Sequence, residues 1–225
     1  MHDTRTCLSG REPAALPQAE RAQELLGAQM ALAVRHGGLL RAALAGAGDF
    51  RAARRYPARD VVDLAHGTRF FFHAHADGFA SRGEYGHFHV FLDPTGKGSH
   101  MASHLIAVAI DGQGLPVRLF TVNRWVTGER WLPAPALSAA ARDFRCTTAG
   151  RLAPVARWVS ACVQAYAPVV DALLRDRDQR VARSRGAAAS LETVFEDRSL
   201  EVLTECSVAL VPPMHGGAIS EEEGQ

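Results

Sequence analysis

The chain has 225 residues, 47% of them hydrophobic, and a formal net charge of +1. That composition supports a folded core and excludes wholesale disorder. The near-neutral balance gives no reason to expect nucleic acid or an anionic membrane as a partner, and a small molecule is the expected one.

Residues 1–17 are polar and read as a flexible tail without an apolar signal region. From Gln18 to about Leu44 the pattern is helical. Leu25, Met30, Ala33, Leu40 and Leu44 approximate one face, and Gly37-Gly38 offers a break. Tyr56-Pro57 marks a turn, and a short helix carrying Val61, Val62 and Leu64 is expected after it. Strand-like runs follow at 69–75, 86–92, 103–110 and 116–122. Asp111-Gly112-Gln113-Gly114 signals a hairpin between the last two. Short connections make an antiparallel meander the simplest topology. In 86–92, His87, His89 and Phe91 share one face, and Phe88, Val90 and Leu92 the other. In 103–110, alternation puts His104 with Ile106, Val108 and Ile110, opposite Leu105, Ala107 and Ala109. Apolar residues on both faces imply a sheet covered on both sides.

After Trp131 the pattern is helical again. Ser138 can cap a short helix, and Pro154 fits the first turn of a longer one. Val155, Trp158, Val159, Cys162, Val163, Tyr166, Val170 and Leu174 follow helical spacing, with Pro168 expected to kink or divide the helix. Residues 175–186 read as a solvated, Arg- and Asp-rich face. Residues 190–211 fit either a helix or a late strand, and 212–225 read as a second flexible tail. The expectation is a single α+β domain over 18–211, a central antiparallel sheet of about four strands flanked by helices.

Cys7, Cys146, Cys162 and Cys206 are widely spaced and lack a Cys-x-x-Cys motif, which suits free thiols in a reducing cytoplasm. The strongly apolar stretches are too short to span a bilayer. Gly98-Ser99-His100-Met101 looks like a tag scar but lies mid-chain, so it is read as a loop. No Gly-x-Ser-x-Gly, Walker-type loop or dinucleotide fingerprint is present.

The chemistry-bearing feature is a pair of His-x-His motifs, His73/His75 and His87/His89, in two neighbouring strand-like runs. Residues two apart in a strand point to one face, so paired strands can bring all four rings together. Pairing residues whose numbers sum to 162 sets His73 opposite His89 and His75 opposite His87. Other even sums keep the rings on one face, whereas a one-residue slip separates them. His104 can extend the cluster, and Glu84 and Asp77 lie in the intervening loop. Imidazole is the commonest protein ligand for transition metals, and several imidazoles buried together need a ligand or partners. The candidate metal ligands are His75, His87, His89 and His104, then His73. Glu84 is a candidate ligand, orienting partner or general base, and Asp77 a turn residue. Isolated strand histidines bonded to the backbone are the competing reading.

His75-x-Asp77 with a later His resembles the facial triad of the 2-oxoglutarate oxygenases, but the interval to His104 is short for it. His87-Phe-His89-Val-Phe-Leu resembles the His-triad nucleotide hydrolases, but Phe91 stands where their third His would be. A His-x-His strand also resembles a cupin, without its trailing Glu. Further along, Asn123-Arg124-Trp125-Val126-Thr127-Gly128-Glu129-Arg130-Trp131 puts polar, charged and aromatic groups at a strand end. Arg124 could clamp a carboxylate or phosphate, with Asn123 and Trp125 beside it, or could pair with Glu129 in a structural corner. Together GHFHVF and LFTVNRWVTGE resemble a bacterial family of hypothetical proteins over roughly Arg69 to Trp131. That resemblance adds weight to His87, His89, Asn123, Arg124 and Glu129 and implies no activity.

The expected function is a small metalloenzyme with oxidative chemistry, iron ahead of copper or zinc, in a pocket lined by Phe71, Phe91 and Trp125. Glu84 and Arg124 would be catalytic, with Arg124 orienting an acidic substrate. The alternatives are haem on a strand His, a metal carrier or sensor, and a metal-free enzyme using His as acid or base.

Overall fold

The structure is a computed structural model in which residues 18–47, 50–74, 83–95, 102–185 and 190–210 are described. His75, Asp77, Cys7, the 98–101 segment and both expected tails lie outside the described residues. The fold is α+β. Its sheet has six antiparallel strands in simple chain order: β1 Tyr56–Asp63, β2 Thr68–His73, β3 Gly86–Leu92, β4 Ser103–Ile110, β5 Pro116–Val122 and β6 Val202–Ser207. The helices are α1 Gln18–His36, α2 Leu39–Leu44, α3 Arg124–Thr127, α4 Ala134–Ala141, α5 Ala153–Ala165, α6 Ala167–Arg185 and α7 Leu191–Phe195.

The central meander matches the sequence pattern, and the two edge strands extend it. β1 forms where a turn and short helix were expected. Val61, Val62 and Asp63 pair with Phe70, Arg69 and Thr68, and Pro57 is tolerated because β1 is an edge. The 190–211 segment holds both of its predicted forms, α7 and then β6, which pairs with β5. Gly37 and Gly38, at φ +70° and +106°, separate α1 from α2 in a region that suits glycine. Asp111 closes the β4–β5 hairpin by accepting hydrogen bonds from the backbone N–H of Gln113 and Leu115. The helix expected across Pro168 is divided at Tyr166, leaving Pro168 in the first turn of α6.

Two helical details differ. Ser138 lies inside α4 rather than capping it. In α1 the buried face is Leu25, Ala28, Gln29 and Leu32, while Met30 is 59% exposed. The polar Gln29 belongs inside because it is paired: it accepts from the Trp158 indole N–H at 2.5 Å and donates to Gly114 O at 3.2 Å. It therefore joins α1, α5 and the hairpin.

One face of the sheet carries Phe70, Phe72, Phe88, Val90, Ile106, Val108 and Leu119. It packs on Leu25, Leu137, Val155, Trp158, Val159 and Val163 of the helices. Trp158 and Phe88 meet at 5.6 Å between ring centres. Each large apolar side chain buried here contributes about 1.5–3 kcal/mol. The opposite face carries the histidines.

Candidate metal centre

Strand register decides which rings meet. Thr68↔Leu92 through His73↔His87 runs without interruption, so His73 faces His87 and Phe71 faces His89. The register is slid by two residues from the 162-sum pairing, but its sum of 160 is also even, so His73, His87 and His89 stay on one face. In β4 the alternation breaks. Val90 pairs with Ile106, but Phe91 pairs with His104, leaving Leu105 as an extra bulged residue. Leu105 and Ile106 both belong to the helix-packed core. The bulge turns His104 away from Ile106 and Val108 and onto the histidine face, a correction to plain alternation.

The rings form a hydrogen-bonded chain. Nε2 of His73 lies 2.6 Å from Nε2 of His87, which lies 3.1 Å from Nε2 of His89. Nδ1 of His89 lies 3.0 Å from Nε2 of His104. His73, His87 and His89 form a group whose ligand atoms all lie within 4.8 Å of one another, an arrangement that could hold a metal ion. His87 and His89 are buried and His73 is half-buried. Burial pushes the His89 imidazole well below its usual range, and His87, His104, His73 and Arg55 add to the effect. His104 falls to about 3, first through burial and then through Arg177 and Arg69. His89 and His104 are therefore neutral, the form in which imidazole binds metals.

Phenylalanines frame it. Phe71 lies 5.1 Å from His89, Phe120 lies 5.1 Å from His87, and Phe91 lies 5.4 Å from His104. An arginine covers each: Arg55 over Phe71 at 4.2 Å, Arg69 over Phe91 at 4.0 Å, and Arg118 over Phe120 at 4.1 Å. Arg69 pairs with Asp60 and Glu129. Phe120 and Arg118 were not singled out from sequence, although the alternation Arg118, Phe120, Val122 puts them on this face once β5 pairs with Ala107 and Ala109.

The other sequence candidates have different partners. The Glu84 carboxylate is buried and held by Nε and Nη2 of Arg118, the latter at 3.0 Å, while Nη1 of Arg118 reaches Glu205 at 2.5 Å. Glu84 is thus half of an ion pair in this geometry, not a member of the histidine group. Burial works against charge on Arg118, but Glu84 and Glu205 hold its pKa above the usual value. Asn123 caps α3 by accepting from Arg124 N, and its amide donates to Val194 O at 2.8 Å. Arg124 pairs with Glu192 and Glu196, rather than with Glu129, and stacks on Phe195. Trp125 donates to Leu200 O at 3.0 Å. This segment fastens α7 and the start of β6, and the structure does not bring its side chains to the three-ring focus. Arg124 and His104 do line a shared cavity of about 10 Å³, room for one water. Cys146 and Cys162 are buried free thiols. Burial raises Cys146 to about 11 and pushes Cys162 higher still, so neither is an activated nucleophile.

Among the described residues no helix is long and apolar enough to cross a membrane. No curated protein and no solved structure matches the chain. A family model for a domain of unknown function, DUF6969, matches residues 19–208, which include the whole described sheet and every histidine of the cluster, and the chain belongs to that family.

Proposed function

We propose that the protein holds one transition-metal ion on Nε2 of His73, His87 and His89 and acts as a small metalloenzyme on a small acidic substrate. The observation that carries this reading is the convergence of three ring nitrogens on one face. A neutral ring nitrogen has one lone pair or one proton. Nε2 of His87 faces two neighbours at 2.6 and 3.1 Å, and can make a good hydrogen bond with one of them. A cation at the shared focus would accept all three lone pairs. Imidazole nitrogens at about 2.0–2.1 Å from a tetrahedral ion stand about 3.4 Å apart, so small ring rotations bring the site to size.

The donor set bears on the metal. Imidazole suits copper, zinc, iron and nickel. With Glu84 engaged by Arg118, the group is all nitrogen among the described residues, which supports copper ahead of the iron favoured from sequence. A bound copper ion would supply one-electron chemistry, and the residues around it would exclude water through Phe71, Phe91 and Phe120. His73, the least buried ring, marks the side from which a substrate would reach an open position. Arg55, 49% exposed over Phe71 and 3.6 Å from Asp60, is better placed than Arg124 to receive an acidic group. Haem finds less support, because ring nitrogens that close on one another leave no slot for a porphyrin between them.

Elemental analysis of protein purified without a histidine tag tests the reading. About one equivalent of copper, iron or zinc is expected, lost in His87→Ala and His89→Ala. Trace metal that is unchanged in both variants would overturn it.

A further inference from the structure

We infer that His104 is a positioning residue outside the coordination shell, accepting a hydrogen bond from Nδ1 of His89 and so fixing the tautomer that presents Nε2 of His89 to the metal. The inference rests on the three-histidine reading above and assigns a role to the fourth ring.

The two nitrogens of an imidazole lie on different edges of the ring and cannot both face one ion. In His89 they are already divided. Nε2 looks toward His87 at 3.1 Å, and Nδ1 toward His104 at 3.0 Å. His104 therefore stands on the far side of His89 from the focus, and it does not belong to the group that shares a 4.8 Å sphere. The protons then follow. When Nε2 of a neutral ring gives its lone pair to a metal, the proton resides on Nδ1. That proton points at Nε2 of His104, which must offer a lone pair, so the proton of His104 sits on its own Nδ1. His104 also lines the water-sized cavity, together with Glu129.

The fold commits an irregularity to this contact. Regular pairing of β3 with β4 would leave His104 among the aliphatic residues under the helices. The extra residue Leu105 reverses its facing at that point, and the ring then packs edge-on to Phe91 at 5.4 Å and 82°. His104 is 7% exposed, so its orientation is set by packing rather than by solvent. Partners of this kind, which hold the non-coordinating nitrogen of a ligand histidine, change metal affinity about 10–100-fold when removed.

Cu(II) is the probe for the test, with wild type, His104→Leu and His104→Gln compared. Affinity is read by competition with a chromophoric chelator. Pulsed EPR reads the remote ring nitrogens, whose quadrupole coupling reports the hydrogen bond at Nδ1. The Leu variant is expected to bind one ion through three imidazoles, about 10–100-fold more weakly, with one remote nitrogen altered. Gln, whose carbonyl oxygen can accept the same proton, is expected to restore most of both signals. His104→Asn, too short to reach, replaces the Leu variant should that fail to fold. Unchanged affinity and an unchanged remote-nitrogen signal would overturn the assignment while leaving the metal site standing. So would a drop from three imidazoles to two, which would make His104 a ligand. Wild-type protein that takes up no Cu(II) would overturn this inference and the metal reading together.

Discussion

A carboxylate held from two sides by a guanidinium has little left to offer a metal or a proton. Glu84 is in that position, and a role in stability follows. Removing one member of a buried pair strands the other, at a cost of about 3–5 kcal/mol. Glu84→Gln and Arg118→Met should each lower unfolding stability in urea on that scale, and the double variant should lose less than the two singles added. A drop in metal affinity at unchanged stability would instead make Glu84 a ligand. Asp63 makes a separate, pH-dependent contribution. Burial alone would raise its carboxyl, but hydrogen bonds from Thr147 and His66 outweigh that and hold it at about 2, against a usual 3.8. Those bonds come from Thr147 N at 2.7 Å, Thr147 Oγ1 at 2.6 Å and His66 Nδ1 at 2.6 Å. A depressed folded-state value means that the stabilisation is full above the unfolded pKa and is lost as pH falls through the folded one. Stability measured by denaturant titration should therefore decline as pH drops from about 4 toward 2, and Asp63→Asn should flatten that limb.

At the scale of elements, β2 and β3 must run close and in register for His73 to meet His87. Gly86 permits this. A Cβ there would lie 2.6 Å from His73 O and 2.6 Å from Phe72 Cζ, closer than atoms can pack. Gly86→Ala should destabilise by about 1–3 kcal/mol, and it should also weaken metal uptake, because the displaced strand carries His73, one of the proposed ligands. The meander and the shared facing of His73, His87 and His89 were legible in the sequence, since period-two alternation and short connections dictate both. That His104 joins the cluster was also expected, but its facing opposite to Ile106 and Val108 was not legible, because a bulge reverses parity and no residue type announces it. The role of Gln29 was hidden too: a polar residue enters the helix interface only because Trp158 and the hairpin are there to pair it. The acidic partners of Arg124 were hidden for a related reason. A cation at a strand end is equally suited to a substrate or to neighbouring acids, and Glu192 and Glu196 are distant in sequence.

At the scale of the molecule, the sheet divides labour between its faces. The helix-packed face supplies most of the apolar burial, and the other holds the hydrogen-bonded chain of rings that offers the candidate ligand atoms. Metal binding should therefore stabilise the whole fold. At a free concentration a hundred times Kd the gain is about 2.7 kcal/mol, which for a chain of this size raises Tm by roughly 5–10 °C. Calorimetry with and without added Cu(II), and then with a chelator, should show the rise and its reversal, and His89→Ala should abolish both. The surplus residue at Leu105 bears on how the family's sequences can be aligned. A relative lacking that one position would pair β3 with β4 without a kink and still turn its equivalent of His104 the same way. A single-column gap there is compatible with an intact fourth ring, whereas the same gap between His87 and His89 would send one of them into the oil beneath the helices.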